Sequence, residues 1–332
     1  MVYIYKKIIA GKPYYYLRIS KRKGDKVISK DIAYLGSEIE TVKKQIMKLP
    51  KYKDEIRRSY KKINLFFETE YYLTKVKNMK LKENLFLGKK LIEIEACKLH
   101  YNDHFEKLDQ KTKKEFIKGF ATHFTYNTTS LEGNTITLKE TQNLLTEGKT
   151  PKDRTLREIY DIQNTEALFI KLAEKKQKIT HNLIIYIHKE LMKNIDLRTG
   201  YRVTDNRVIK SHFDSSPGEY VKTDMDLLLK WYRENKNNLH PIVLATIFHH
   251  KFEKIHPFLD GNGRTGRMIL NYILIKNNYP SIIIYRKDKT MYLDALGSAD
   301  KIPITKTDKS KYKKLISFIS DEMISSYWNI FL

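Results

Sequence analysis

The sequence is poor in cysteine and in long apolar runs. Its one cysteine, Cys97, has no second cysteine in the chain, which excludes an internal disulfide and favours a small buried residue in a reducing compartment. Charged residues interrupt the N-terminal segment early, and no later run approaches the roughly 18 apolar residues of a membrane span. We therefore expect a cytoplasmic protein with no signal peptide and no membrane anchor.

Acidic residues are scarce relative to basic ones. Lys and Arg total 63 against 39 Asp and Glu, a net charge of +24, which attracts phosphates, acidic proteins or anionic surfaces. The positive charge is spread along most of the chain, so charge alone does not indicate nucleic-acid binding. With 332 residues, 41% of them hydrophobic, the chain can form about two domains with packed cores. A disulfide-stapled peptide and a disordered basic tail are excluded.

Aromatic and β-branched runs broken by turn residues predict a small antiparallel meander at the N-terminus, over residues 2–9, 14–20 and 27–34. The spacing Ser37-x-x-Glu40 then predicts a capping box that begins a helix, which Pro50 should end. Long charged helices are expected from there to about residue 102.

Helix start and stop signals become frequent after Asp109, and they indicate a mainly α body. Residues 200–223 are the exception, because their β-branched and turn residues predict a hairpin or flap. No internal repeat is visible. Helices are predicted over residues 111–132, from Thr137, from Thr180, from Thr223, and over residues 241–254, 263–276, 289–299 and 309–329.

One twelve-residue segment, from His256 to Arg267, joins two of the predicted helices. Proline at position 257 keeps His256 out of helical geometry, so its imidazole lies on a loop. Gly261 and Gly263 permit a sharp turn and a close approach of the backbone to a ligand. These features predict a loop that brings a histidine next to the start of a helix.

The start of that helix is suited to an anion, because its first amide groups are free and its dipole is positive there. Arg264 and Arg267 lie three residues apart in the first turns, where each cation is disfavoured by about 0.3 to 1 kcal/mol. Two such cations indicate a bound polyanion that offsets the cost. Asp260 at the edge of the site offers a carboxylate for Mg²⁺, which binds carboxylate and phosphate oxygens.

The segment resembles the signature of the Fic family, His-Pro-Phe-x-Asp-Gly-Asn-Gly-Arg-x-x-Arg, and all nine specified positions match. Members typically transfer AMP from ATP to a Ser, Thr or Tyr hydroxyl of a protein, and the resemblance implies their helical core over about residues 110–300. It also implies that His256 is the general base and that Asp260 holds the metal. The residues that the resemblance assigns to the nucleotide phosphates are Gly261, Asn262, Gly263, Arg264 and Arg267.

Glu132 is predicted in the last turn of its helix, where the dipole disfavours a carboxylate unless a cation is near. An exposed surface glutamate is the alternative, since such a charge costs little. Thr128, Glu132 and Gly133 resemble the inhibitory motif of the Fic family, Ser/Thr-x-x-x-Glu-Gly/Asn. The resemblance implies that Glu132 pairs with Arg267 and blocks the terminal phosphates. Some relatives use this glutamate to position water and remove AMP.

Four further features carry alternatives. Residues 200–223 lie where Fic relatives have a flap that pairs with an extended target segment. Tyr292 either flanks the adenine or packs in the core. A zinc site at His249 and His250 is disfavoured, because adjacent histidines point to opposite sides of a helix. The basic turn at residues 21–23, beside three tyrosines, is either a nucleic-acid surface or a solvated turn.

We therefore predict a mainly α protein with a Fic-type helical core, a β-hairpin flap, an N-terminal antiparallel meander and connecting helices. Its predicted activity is Mg²⁺-dependent transfer of AMP from ATP to an unidentified protein or to itself, inhibited by Glu132, and a homodimer is expected. The alternatives are removal of AMP from a modified protein, and a nucleic-acid-binding regulator whose Fic loop senses a nucleotide. The predicted units are a basic meander at 1–36, connecting helices at 37–108, the Fic domain at 109–300 and a C-terminal helix at 301–332.

Overall fold

The computed structural model describes residues 1–205 and 215–331. Within them the chain is mainly helical and begins with a small antiparallel sheet, which confirms the predicted fold class. The α-helices of these residues are α1 Ile39–Ile46, α2 Lys53–Arg58, α3 Tyr60–Lys77, α4 Lys90–His104, α5 Gln110–Leu131, α6 Leu138–Glu147, α7 Leu156–Glu174, α8 His181–Leu191, α9 Val221–Asn235, α10 Pro241–Ile255, α11 Asn262–Lys276, α12 Lys289–Gly297 and α13 Lys309–Phe331.

The sheet has the strand order β1-β2-β3 and is antiparallel throughout. Its strands are β1 Val2–Ile9, β2 Lys12–Lys23 and β3 Lys26–Gly36. Alternating side chains divide it into two faces, and one face packs against α1 and α3. Ile4 opposite Leu17 belongs to that buried face, whereas Tyr5 opposite Tyr16 lies on the other. The predicted meander is therefore present, with longer second and third strands.

Helices α10 and α11 form the centre of the large core. Nearly every residue of both is buried, charged ones such as Lys251 and Arg267 included, so both helices are enclosed by other parts of the protein on most sides. Pro241 occupies the first turn of α10, as the sequence predicts, and His240 accepts a hydrogen bond from the amide of Ile242 at 3.4 Å. Ile255 at the end of α10 and Asn262 at the start of α11 are both buried, so the connection between the two helices begins and ends in the interior.

Side-chain caps fix the starts of the helices around this core. Thr137 and Thr155 each form a full capping box with a glutamate three residues on. Asp109 accepts hydrogen bonds from the amides of Lys111 and Thr112, which starts α5. Thr180 accepts from the amide of Leu183 and starts α8, as predicted.

Two predicted helix starts are wrong. Strand β3 continues to Gly36, directly before Ser37. The amide of Val42 donates to the carbonyl of Glu38 at 3.0 Å, so Glu38 rather than Ser37 is the N-cap residue of α1. Helix α9 begins at Val221 rather than at Thr223. The 3₁₀ turn Gly218–Tyr220 precedes it directly and supplies its first turn.

The predicted hairpin at 200–223 lies partly outside the described residues. Its described parts, 200–205 and 215–223, contain a 3₁₀ turn and the start of α9 but no strand. The amide of Gly218 donates to Asp205 Oδ1 at 2.8 Å, which joins the two described ends of the segment.

The structure also bears on membrane-spanning helices and on the single cysteine. In the described residues no helix is both long and apolar enough to cross a membrane. Cys97 is a buried free cysteine in a cluster with Tyr72 and Trp328, as predicted, and burial raises the pKa of its thiol. This cysteine is therefore a packing residue.

Candidate functional site

The loop between α10 and α11 begins at His256, whose backbone is left-handed with φ 52° and ψ 60°. Its amide still donates to the carbonyl of Phe252 at 3.0 Å, so the residue ends the helix and turns the chain away from it. Such a conformation costs a non-glycine residue roughly 1 to 3 kcal/mol, and it is found where surrounding structure enforces it. Burial lowers the pKa of His256, which favours the neutral imidazole.

Asn262 closes the loop on itself. The amide of Phe258 donates to Asn262 Oδ1 at 2.9 Å, and Asn262 Nδ2 donates to the carbonyl of Phe258 at 2.7 Å. The side chain of Asn262 is thus used within the loop, and its contribution to an anion site is the backbone amide at the first turn of α11. Thr265 Oγ1 donates to the carbonyl of Gly261 at 2.8 Å and braces the same turn.

Two glycines allow side chains to approach the start of α11. Gly261 has φ 74°, and a methyl group there would come within 2.8 Å of Met192 Sδ. A methyl group on Gly263 would overlap the carboxylate of Glu132 and the guanidinium of Arg267. The carboxylate of Glu132 therefore lies directly on the backbone of the first helical turn.

The ion pair between Glu132 and Arg267 is present. Arg267 Nη2 donates to Glu132 Oε1 at 2.6 Å, while its Nε donates to Thr128 Oγ1 at 2.8 Å. Burial by itself raises the pKa of the Glu132 carboxyl, but the charge and hydrogen bond of Arg267, together with the charges of Arg264 and Lys289, outweigh burial and hold that pKa below its usual value. Glu132 is the C-cap of α5, so the end of that helix is brought to the start of α11. Its negative charge lies where the sequence predicts a phosphate.

Asp260 and Arg264 both have partners inside the protein. Asp260 pairs with Arg157, accepts from the amide of Gly261 at 2.6 Å and lies 3.6 Å from Arg264 Nη2. Arg264 is buried and pairs with Asp161 on α7. The resemblance to the Fic family implies Mg²⁺ here, and the residues fit it, because Asp260 is 37% exposed and Arg157 is 55% exposed and able to leave.

Four residues that shape the site were missed by the sequence analysis. His188 stacks on Phe258 with ring centroids 3.7 Å apart and donates from Nε2 to the carbonyl of Asp260 at 3.0 Å. Arg157 and Asp161 hold the charged loop side chains, as described above. Glu253, on α10, is enclosed near Arg267, and burial raises the pKa of its carboxyl to about 8.

Arg202 was also missed, and it links the segment before residue 206 to the loop. Its Nε donates to the carbonyl of His256 at 2.8 Å, its Nη1 to Thr204 at 2.8 Å and its Nη2 to Ser216 at 2.5 Å. The amide of Arg202 donates to the carbonyl of Pro257 at 2.9 Å. One guanidinium therefore fixes both described ends of the predicted flap against the histidine.

The remaining sequence candidates lie in the core. His249 Nε2 is 2.5 Å from the hydroxyl of Tyr292, whereas His250 contacts Tyr312 and Asp300 at 3.1 Å each. The two histidines have separate partners, in agreement with the argument against a shared zinc ion. Tyr292 is 2% exposed, so it packs in the core.

The Glu132–Arg267 pair predicts a pH-dependent stability. The pKa of Glu132 in the folded protein lies below its usual value of 4.5, so the pair stabilises fully above about pH 4.5 and its contribution is lost as the pH falls through the lowered pKa. Glu132→Gln is expected to lower the Tm at pH 7, and the difference from the parent should shrink below pH 4.5. Differential scanning fluorimetry from pH 7 to 3.5 measures it, and a difference that grows on acidification contradicts the ion pair.

Comparison with known proteins shows relatives that match in sequence over part of this chain. Residues 178–274 match the Fic/DOC family. "Protein adenylyltransferase Fic" of Drosophila ananassae is 30% identical over 186 residues, which are 53% of this chain and 36% of that protein. "Protein adenylyltransferase fic-1" of Caenorhabditis elegans is 27% identical over 205 residues, which are 60% of this chain and 40% of that protein. The matches thus span well under half the length of these relatives.

Solved structures extend the likeness to the fold. A Fic domain containing signaling protein from Bacteroides thetaiotaomicron has a TM-score of 0.64 at 25% identity, over 71% of this chain and 95% of that one. Fic-1 from C. elegans has a TM-score of 0.59 at 22% identity, over 73% of this chain and 72% of that one.

Proposed function

We propose that this chain, whose residues 178–274 match the Fic/DOC family, is a protein adenylyltransferase held inactive by Glu132. The transferred group is the AMP of ATP, and the acceptor is a Ser, Thr or Tyr hydroxyl of a protein. The observation that carries the proposal is the position of the Glu132 carboxylate. It lies on the first turn of α11, beside Gly263 and paired with Arg267, where a phosphate anion is expected.

The proposed reaction needs a base, an anion site and an aligned acceptor. His256, whose neutral form burial favours, accepts the proton of the hydroxyl as its oxygen attacks the α-phosphorus. The bond between the α-phosphorus and the bridging oxygen breaks, and pyrophosphate leaves. The amides at the start of α11, with Arg264 and Arg267, stabilise the charge on the phosphates. Asp260 is the residue that would hold Mg²⁺, and the ion would supply further charge neutralisation when bound.

Inhibition follows from competition between two anions for one binding position at the start of α11. The terminal phosphates and the Glu132 carboxylate are both anions and both require Arg267 and the first turn of α11. Glu132 remains 41% exposed, so its side chain is able to leave without unfolding α5. The protein is therefore inactive when Glu132 is paired with Arg267 and active when Glu132 moves away.

The direct test follows the label of ATP. The Glu132→Gly variant, which lacks the inhibitory carboxylate, is incubated with Mg²⁺ and ATP labelled at either the α- or the γ-phosphate, alone and with a cell lysate as acceptor. Label from the α position on protein, together with the mass of AMP in mass spectrometry, supports the proposal and identifies the accepting residue. Label from the γ position alone indicates phosphorylation, and release of AMP from a premodified protein indicates the removal reaction. No protein label with any acceptor contradicts AMP transfer.

A second candidate function, nucleic-acid binding, is favoured by the solvent face of the N-terminal sheet. Tyrosines share this face with Arg18, whose guanidinium carbon lies 3.5 Å from the ring centroid of Tyr5 and which pairs with Asp31 at 2.6 Å. Lysines and arginines follow along the β2–β3 hairpin, which continues the positive charge. Aromatic rings beside cations on an open sheet suit the bases and phosphates of a single strand. The face carries Tyr3, Tyr5, Tyr14, Tyr16, Arg18 and Tyr34.

Tyr34→Ala tests this candidate, because Tyr34 is 56% exposed and each stacked base is worth about 1 to 3 kcal/mol. Binding of a fluorescent single-stranded oligonucleotide should weaken roughly tenfold and fall steeply with salt. Tyr220→Ala is the matched control, since that tyrosine is 54% exposed but lies outside the sheet. Equal affinities of both variants and the parent would exclude the sheet as the binding face.

A further inference from the structure

A second group of chemically active side chains lies between α3 and α4, outside the proposed site. It consists of Glu68 on α3 with His100 and His104 on α4. One potential ligand atom of each lies within 4.8 Å of the other two. The two histidines are four residues apart on one helix, which places them on the same face. Nothing in the proposed transfer of AMP uses these three residues.

His100 carries the strongest indication of a missing partner. It is 3% exposed, and its Nδ1 is 2.5 Å from the hydroxyl of Tyr327. Its Nε2 is buried and has no hydrogen-bond partner among the described residues. Burial lowers the pKa of His100 to about 4, so the ring is neutral. In the tautomer whose Nδ1–H donates to the tyrosine, Nε2 has the free lone pair that a metal ion binds, and the tyrosine fixes the ring as outer partners of ligand histidines do.

The other two residues are placed to complete the set. The ring of His104 stacks on that of His100 with centroids 4.3 Å apart, and its Nε2 is 3.1 Å from the hydroxyl of Tyr72. Glu68 has one loose charged partner, Lys43 at 3.7 Å, which is 53% exposed. Ligands of one tetrahedral zinc ion are about 3.3 Å apart, given bonds of about 2.0 Å, so atoms that lie within 4.8 Å of one another must approach by at most about 1.5 Å to share one ion.

A cavity gives a metal ion access to this group. A volume of about 560 Å³ opens between α1 and α3, and Glu68, Tyr72 and His104 line it together with Lys43. Its opening to solvent leaves room for a water molecule as a fourth ligand. Two imidazoles and one carboxylate suit zinc or a similar transition metal ion, whereas Mg²⁺ and Ca²⁺ prefer oxygen ligands alone.

We propose that Glu68, His100 and His104 form a binding site for one transition metal ion, with zinc the best match to the ligand set. The ion would join α3, which packs against the N-terminal sheet, to α4. His100 in turn contacts α13 through Tyr327. Occupancy therefore stabilises the junction between the sheet and the helical body.

The test is metal binding by the full chain after treatment with a chelator. Co²⁺ is titrated and followed by its visible absorption, and Zn²⁺ displaces it and is measured by calorimetry. We expect one tight equivalent, a higher Tm with Zn²⁺, and affinity at least tenfold weaker in Glu68→Gln and in His104→Ala. Tyr327→Phe should weaken binding by about 10- to 100-fold, because the ring of His100 loses its outer partner.

Matched variants separate this site from others. His181→Ala removes a half-exposed histidine elsewhere, and Asp260→Asn removes the proposed magnesium carboxylate, so both should keep the tight equivalent. Circular dichroism establishes that each variant is folded, and His104→Gln replaces His104→Ala if the latter is not. Absence of a saturable equivalent, or equal affinity in the parent, Glu68→Gln and the folded His104 variant, overturns the proposal. Loss of the equivalent in Asp260→Asn assigns the metal to the loop instead and also overturns it.

Discussion

Replacing His256 by alanine is expected to reduce the rate of AMP transfer by about 10²- to 10⁴-fold, the usual contribution of a general base. The expectation rests on the position of the residue. The left-handed backbone of His256 turns the residue out of α10, and its carbonyl is fixed by Arg202 at 2.8 Å. Burial lowers its pKa and keeps the imidazole ready to accept a proton. No other described residue of the loop offers a neutral base.

The measurement separates chemistry from binding. Initial rates are compared in the Glu132→Gly background, and the Kd for ATP is measured by a fluorescent analogue. His256→Ala should lower the rate and leave the Kd within a few-fold, because the phosphates contact α11 rather than the imidazole. His181→Ala is the control, since that histidine pairs with Asp226 at 2.8 Å and lies outside the loop. Unchanged transfer by His256→Ala would remove His256 from the role of base.

Glu132→Gly is expected to raise the rate of AMP transfer by roughly 10- to 100-fold. Its carboxylate accepts a charge-assisted hydrogen bond from Arg267 at 2.6 Å, and bonds of this kind are worth about 1.5 to 3 kcal/mol. Removing the carboxylate frees both the guanidinium and the backbone of the first turn of α11 for phosphate. Each 1.4 kcal/mol of interaction free energy that no longer competes with the phosphates corresponds to about a tenfold increase in the rate.

A matched glutamate tests whether the effect is specific. Glu147→Gly is the control, because Glu147 is 47% exposed and ends α6, away from the loop. The double variant Glu132→Gly with Arg267→Ala should be strongly non-additive, since the two residues act on one position. Equal rates for the parent and Glu132→Gly would contradict autoinhibition.

The sequence predicted the parts of the site that are local in the chain. His256 to Arg267 is one continuous loop and helix start, so proline and glycine were sufficient to predict a histidine on a loop that leads into the start of a helix. The pairing of Glu132 with Arg267 spans 135 positions, and only the resemblance to a family implied it.

Long-range partners were not predictable from the residues alone. Asp260 and Arg264 were assigned to metal and phosphate, but Arg157 and Asp161 on α7 pair with them in the folded protein. Which of 63 basic residues meets a given carboxylate is decided by helix packing, and the sequence pattern carries no such information. The predicted start of α9 at Thr223 was also wrong, because the 3₁₀ turn Gly218–Tyr220 leads directly into a helix that begins at Val221.

The spacing of His100 and His104 was equally visible in the sequence. The spacing alone did not indicate a metal site, because the third residue of the group, Glu68, is 32 positions from His100 and belongs to another helix. The orphaned nitrogen of His100 became apparent only once burial and the contact with Tyr327 were known.

The guanidinium of Arg202 connects two parts of the molecule. Thr204, Ser216 and His256 are held through their carbonyl groups by the same guanidinium, so the backbone at residues 204 and 216 is tied to the backbone of His256. A displacement of the backbone at Thr204 or at Ser216 is therefore passed on to the backbone that carries the imidazole of His256.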